Sequence, residues 1–428
     1  MATPGVVVEL GLDLSSVGGP FFTFGSSDDS LANPQSLFAP NGQGDIFRFG
    51  GTLFYDVTEK VKSFTINRGK SRELDRFTTG SANITFANQD RAFDPFFTSS
   101  PYYPDIRPRR NLRISTVVSG STAVQFTGLV EDWSLDYDIS GQSDAFAACV
   151  DGFVLFGGQQ LEFGTATAQT SGVRLNAILD RPEVAWPAGL RDIDTGVQDF
   201  GADVIEQGRE TLEYLQLVEA SEPGQLFMSK DNKVTFRDRS TAATVGTAVI
   251  FSDAGTAIPY NGITVSYGTE LLYNRAVISN LGGTPQVAEN AASISEYGVV
   301  ALELNGLLID TDEDCDALAN FIVRKYADPE LRFDTIDVQL AGLSTANQSK
   351  VLGVELADIV RVEYQPNGLG DRIIRDVQVI GIRHDARPAS HVVSFQFAST
   401  DTAAFVFAGG TSTVEYPFSV FDSSPFGL

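Results

Sequence analysis

The sequence is poor in the residues that most often carry chemistry. Of 428 residues, two are cysteine and two are histidine. Cys149 and Cys315 stand far apart, without Cys or His neighbours at a metal-ligand spacing, which predicts two buried thiols and no metal site. His384 and His391 lie in an alternating, strand-like stretch with no nucleophile or ligand close in sequence, which argues against catalysis by either. Long apolar runs are also missing: nothing reaches the ~18 residues of a membrane helix, so no integral membrane segment is expected. The start, Met1 to Gly5 followed by Val6 to Leu12, lacks the basic region of a secretory signal, so assembly in a cytoplasm is expected. Basic residues are scarce, because 30 Lys and Arg face 55 Asp and Glu for a net charge of −25. That balance opposes a grip on phosphates, and no specific nucleic-acid binding is expected. It is compatible with a solvated acidic surface that keeps the protein soluble, or with an acidic wall that repels a passing polyanion.

Catalytic signatures are absent too. There is no phosphate loop, no Gly-x-Ser-x-Gly elbow, no His-Glu-x-x-His pair and no dinucleotide glycine fingerprint. Neither an enzymatic activity nor a cofactor is therefore expected. The 40 glycines fall mainly between strand-like runs, where turns need positive φ. The acidic run Asp310 to Asp316 lacks the spacing and central glycine of an EF-hand. It reads as the start of a helix, with Thr311 as N-cap and Asp312, Glu313 and Asp314 in the first turn.

What is present is globular composition, 43% hydrophobic and 20% charged. The length predicts about two to four domains. Residues 1–45 read as an extended N-terminal arm carrying Phe21, Phe22 and Phe24 among turn formers. These rings are candidate contacts to a neighbouring domain or subunit, the alternative being a local satellite core. Residues 46–165 read as a first β domain, in which Ser63 to Asn67 and Asn83 to Phe86 alternate to bury one face. The stretch Asn88 to Pro108 is too long for a hairpin connection and is expected to pack against another element or subunit. Residues 166–247 read as a small α/β insert: a short helix ending before Pro182, a helix between Asp203 and Ala220, and a hairpin around Asp231-Asn232. Residues 248–402 read as a second β domain interrupted by one helix, from Thr311 to Asp328-Pro329. Residues 403–428 form a weakly charged tail whose Tyr416, Phe418, Phe421 and Phe426 are candidate anchors for a partner. The predicted class is mainly β with an α/β insert.

Several short motifs occur in a telling order. Tyr55-Asp56-Val57-Thr58 is followed by Asn67-Arg68-Gly69-Lys70, Glu73-Leu74-Asp75, Gly80, Asn88-Gln89-Asp90-Arg91 and Phe93-Asp94-Pro95. The stretches 126–133, 220–239, 293–298 and 326–332 continue the series. Across about residues 50 to 400 the chain resembles the minor tail proteins, tail-tip or baseplate hubs, of actinobacterial siphophages, which are similar to hub proteins of contractile phage tails. The resemblance implies a structural virion protein with two tube-like β-barrel or sandwich domains per chain, so that a homotrimer matches a hexameric ring. It would close the tail tube at the tail tip, with an acidic lumen that repels DNA. Implied partners are other copies of the chain, the distal tail protein, the tape measure protein, and other minor tail or receptor-binding proteins. The arm before Asp45 departs from this pattern, which keeps a hexameric distal tail protein as an alternative. Another is a peripheral carbohydrate-binding module of the tail tip using Tyr102 and Tyr103 as its platform.

Overall fold

A computed structural model describes residues 3–12, 53–239, 249–255 and 257–400 of the chain. The first β-rich region contains β1 (Gly5–Leu12), β2 (Leu53–Asp56), β3 (Val61–Gly69), β4 (Thr78–Ala87), β5 (Asn111–Val118), β6 (Ser121–Tyr137) and β7 (Ser143–Val150). They pair antiparallel in the order β3-β4-β7-β6-β5-β1-β2. Strict alternation drives Phe64 and Ile66 of β3, Ala82, Ile84 and Phe86 of β4, and Ala145 and Ala147 of β7 into one core. Of the stretch read as an N-terminal arm, residues 5–12 form β1, and residues 13–45 lie outside the described residues. The β-branched run of β1 pairs with both β2 and β5 and sends Val8 and Leu10 into that core.

The long connection 88–110 folds onto its own unit rather than reaching outward. Phe93 is fully buried and stacks on Phe86 at 4.3 Å, on Tyr102 at 5.4 Å and on Trp133 at 5.7 Å between ring centroids. Ile106 joins the same core.

The insert contains α1 (Phe153–Gly157), α2 (Ser171–Leu179) and α3 (Thr211–Ser221), with β8 (Arg191–Ile193), β9 (Gln225–Met228) and β10 (Val234–Arg237). β9 and β10 form the expected hairpin, and Asn232 in its turn has φ +60°. The helix expected from Asp203 begins only at Thr211. Residues 203–205 pair instead with 164–166, burying Asp203 and Ile205 while Val204 points out, and Gly208 at φ +85° turns the chain into α3. A period of two, not 3.6, governs that stretch.

The second β-rich region holds β11 (Ile250–Ser252) and β12 (Gly262–Tyr267). A small α/β unit follows, with β13 (Arg275–Asn280), β14 (Gln286–Glu289), α4 (Ala291–Tyr297), β15 (Ala301–Leu307) and α5 (Asp312–Tyr326). The chain then returns through β16 (Leu331–Gln339), α6 (Thr345–Gly353), β17 (Ile359–Tyr364), β18 (Ile373–Arg387) and β19 (Ser390–Ser399). One helix was expected here, and three are present. α5 begins as read, with the Thr311 hydroxyl accepting from the Asp314 N–H at 3.1 Å. It packs Leu318, Ile322 and Tyr326 into the core of this unit, whose strands pair apart from the large sheet, with β13 parallel to β15.

Two further cores complete the packing. One is built by β13–β15 and α5, with Leu217 and Ala220 of α3 packed against it. The largest is shared by the insert and the second β region, joining Phe227 and Phe236 to Val379, Phe395 and Phe397.

Candidate functional site: a seam and two open edges

The two β-rich regions are one sheet of 13 strands, because β3 pairs antiparallel with β18. The ladder runs from Gly69 opposite Gly381 to Phe64 opposite Ala386. Closeness requires the first of these glycines, whereas at Gly381 a Cβ would meet the movable end of the Gln396 side chain at 2.3 Å. Gly69 has φ +109°, and a Cβ there would lie 2.2 Å from the Ile380 carbonyl oxygen. A register shift between Val379 and Gly381 lets β18 pair with β17 in its first half and with β3 in its second.

Beneath the ladder, Arg68 is buried. Its guanidinium Nη2 donates to Glu355 Oε1 at 2.6 Å and to the Met228 carbonyl at 3.0 Å, and Glu355 Oε2 accepts from the Lys230 N–H at 3.1 Å. Burial pushes Glu355 up, but Arg68 and Lys230 outweigh it and hold the carboxyl below its ordinary value. One ion pair thus ties the first β region, the insert hairpin and the second β region together.

The chain's two histidines lie at the same seam. His384 Nδ1 and His391 Nε2 are 3.1 Å apart, and Phe64 of β3 meets the His391 ring edge-on at 5.8 Å. Burial lowers both: His384 falls well below 6.5, helped by His391, Arg68 and Lys230, and His391 falls to about 4. Both are neutral core residues at neutral pH. Nearby, Asp151 accepts from the Gly80 N–H at 2.7 Å and the Phe153 N–H at 3.0 Å, and burial pushes it up to about 7.

A third tie is Glu73, in the loop between β3 and β4. It accepts from Lys325 Nζ and the Tyr326 hydroxyl of α5 and from the Ser399 N–H at the end of β19.

The sheet's main path ends at β2 and β12, with no further strand beyond either among the described residues. Tyr267 at the end of β12 is 69% exposed. Such open edges offer unpaired N–H and C=O groups to another chain.

The sequence-derived contact residues Phe21, Phe22, Phe24, Tyr416, Phe418, Phe421 and Phe426 lie outside the described residues. Tyr102 and Tyr103 do not form a common platform. Tyr102 packs against the core beside Phe93, and Tyr103 alone is exposed. Cys149 and Cys315 are buried free thiols. No helix among the described residues is long and apolar enough to cross a membrane. The seam itself was not visible in sequence, since no local pattern marks the pairing of β3 with β18.

Tandem β regions zipped through a seam define the class of this fold. No family model matches the chain, and no curated protein matches it by sequence. Its fold is similar to the 43 kDa tail protein of prophage MuSo2 from Shewanella oneidensis, at 12% identity and a TM-score of 0.56 over 94% of this chain and 98% of that one. It is also similar to the tail protein from Neisseria meningitidis MC58, at 10% identity and a TM-score of 0.52 over 92% and 96% of the two chains. At these identities the likeness is one of fold.

Proposed function

We propose that the chain is a structural, non-enzymatic component of a phage tail of the siphophage type, and that it forms the trimeric hub closing the tail tube at its tip. The observation that carries this reading is the seam. One chain supplies two β regions already zipped edge to edge, with open edges left at β2 and β12. Three such chains joined by those edges would present six β regions around one axis and leave no main-path edge unpaired. The fold likeness to two tail proteins supports the class. In this reading the distal tail protein and tape measure protein lie above the ring, and receptor-binding or other minor tail proteins below it. Phe21, Phe22, Phe24 and the rings at 416, 418, 421 and 426 serve as contacts to these neighbours, and carboxylates facing the lumen keep DNA from adhering.

The test is a cryo-EM reconstruction of the tail tip, classified without imposed symmetry. Three copies, each placing two β regions in one ring around the axis, is the expected result. Six copies in the ring would assign the chain to the distal ring instead, and absence from the axis would leave a peripheral binding module.

A further inference from the structure

β6 is the longest strand, 17 residues, and it outruns its sheet. β5 pairs with it only as far as Leu129, whereas β7 follows it to Tyr137. Among the described residues no strand pairs with Asp132 to Tyr137 on the side away from β7. The hairpin therefore projects from the first β region with one edge open among the described residues.

Its tip is ordered by its own bonds. The Asp138 N–H donates to the Gln142 carbonyl at 2.8 Å, Asp138 Oδ1 accepts from the Ser140 N–H at 3.0 Å, and Gly141 turns the chain at φ +85° with nothing within 4 Å of a would-be Cβ. The tip stands in open space and carries exposed apolar side chains among its polar ones: Ile139 is fully exposed, and Tyr137 is 49% exposed. The Tyr137 hydroxyl donates to Asp94 at 2.8 Å, which fixes the loop carrying Phe96, 86% exposed, beside the hairpin. Large exposed apolar side chains on adjoining loops of this kind mark a contact surface.

The charges along the hairpin have one sign. Glu131, Asp132, Asp136, Asp138 and Asp144 fall in residues 131–144, which contain no Lys or Arg. Among the described residues, only Asp144 of these has an ion-pair partner, Lys62. Two copies of this acidic edge repel each other, so the hairpin does not pair with itself in a second chain. A basic strand is attracted to the edge, and the exposed apolar side chains of the tip then add the area that carries affinity.

We propose that the hairpin of residues 131–144, with Phe96, docks a different protein, one that presents a basic and apolar strand edge and adds it to Asp132–Tyr137. This surface is separate from the β2 and β12 edges and does not depend on the ring reading.

The test uses the full chain and a short fluorescent peptide alternating lysine and valine, with a glutamate–valine peptide as its counterpart. The lysine peptide is expected to bind and to slow hydrogen exchange at the amides of residues 132–137. Asp136→Asn with Asp138→Asn is expected to weaken binding about tenfold, and Ile139→Asp by at least as much. A charge-matched control, Glu206→Gln with Glu303→Gln, is expected to leave it unchanged. The proposal is overturned if the lysine peptide does not bind, if hairpin and control variants bind alike, or if the glutamate peptide binds equally well. Self-association of the wild type that is lost in Ile139→Asp would overturn it too, by making a second copy the occupant.

Discussion

Replacing His391 with Gln should flatten the acid side of the stability profile. His391 is buried, and burial lowers it from 6.5 to about 4. Between those values the unfolded chain takes up a proton that the folded chain refuses. The stability that depends on the neutral ring is therefore complete above 6.5 and is lost as pH falls toward 4. For one such group the loss between pH 7 and pH 5 is about 2 kcal/mol. Asp151 and Glu219 titrate in the same window with the opposite sign. Burial pushes each up to about 7, so the folded state gains on them as pH falls. The measurement must therefore be a difference between two proteins. Urea unfolding of wild type and His391→Gln at pH 7, 6 and 5 cancels the shared acids and leaves the histidine. The variant is expected to gain about 2 kcal/mol on the wild type between pH 7 and pH 5. A difference that stays constant over that range would refute the assignment of a neutral, proton-refusing ring at the seam.

Other substitutions probe the same architecture. Arg68→Ala strands Glu355 beneath the seam and should cost about 3 kcal/mol by chemical denaturation, with Arg68→Met combined with Glu355→Gln costing less than Arg68→Ala alone. Gly69→Ala should cost at least ~3 kcal/mol because its Cβ would collide with the Ile380 carbonyl, whereas Gly120→Ala, at φ +81° in open space, should cost only ~1 kcal/mol. Comparable losses would show that φ alone, not the closeness of β3 to β18, sets the requirement. Thr311→Ala removes the cap of α5 and should lower stability by about 1 kcal/mol in thermal unfolding, with Thr311→Ser restoring most of it.

The legible parts of this fold are those written in local patterns. Alternation at Ser63 to Asn67 and Asn83 to Phe86 reported the buried face of β3 and β4, and the Thr311 cap with its acidic turn reported the start of α5. β7 was harder to see, because its inward residues Ala145, Ala147 and Cys149 are small and give a weak apolar signal. The helix read from Asp203 failed because Ile205 fits a helical stripe and a strand face equally well until Gly208 is recognised as the turn. Of the site, the sequence showed only composition: two histidines without neighbours and an acidic, turn-rich body. The two histidines meet across the local β18–β19 hairpin, but their place at the seam depends on the pairing of β18 with β3, hundreds of positions away, which no local pattern encodes.

That separation sets a schedule for synthesis. Gly69 and Gly381 are 312 positions apart, so a ribosome adding 5–20 residues per second leaves the seam side of β3 without its partner for about 15–60 s. Hairpins such as β6–β7 close within microseconds of emerging, so once Val150 is made the first β region stands folded with a raw edge for about three quarters of that time. The residues that β3 turns outward, Thr65 and Asn67, are polar, and its register is fixed by Phe64 and Ile66 in the core below. A nascent chain of this protein is thus most exposed to wrong pairing in the interval before residue 381 is made. Truncations ending between Val150 and Ile380 should aggregate through that edge, and a chain ending at Thr400 should not.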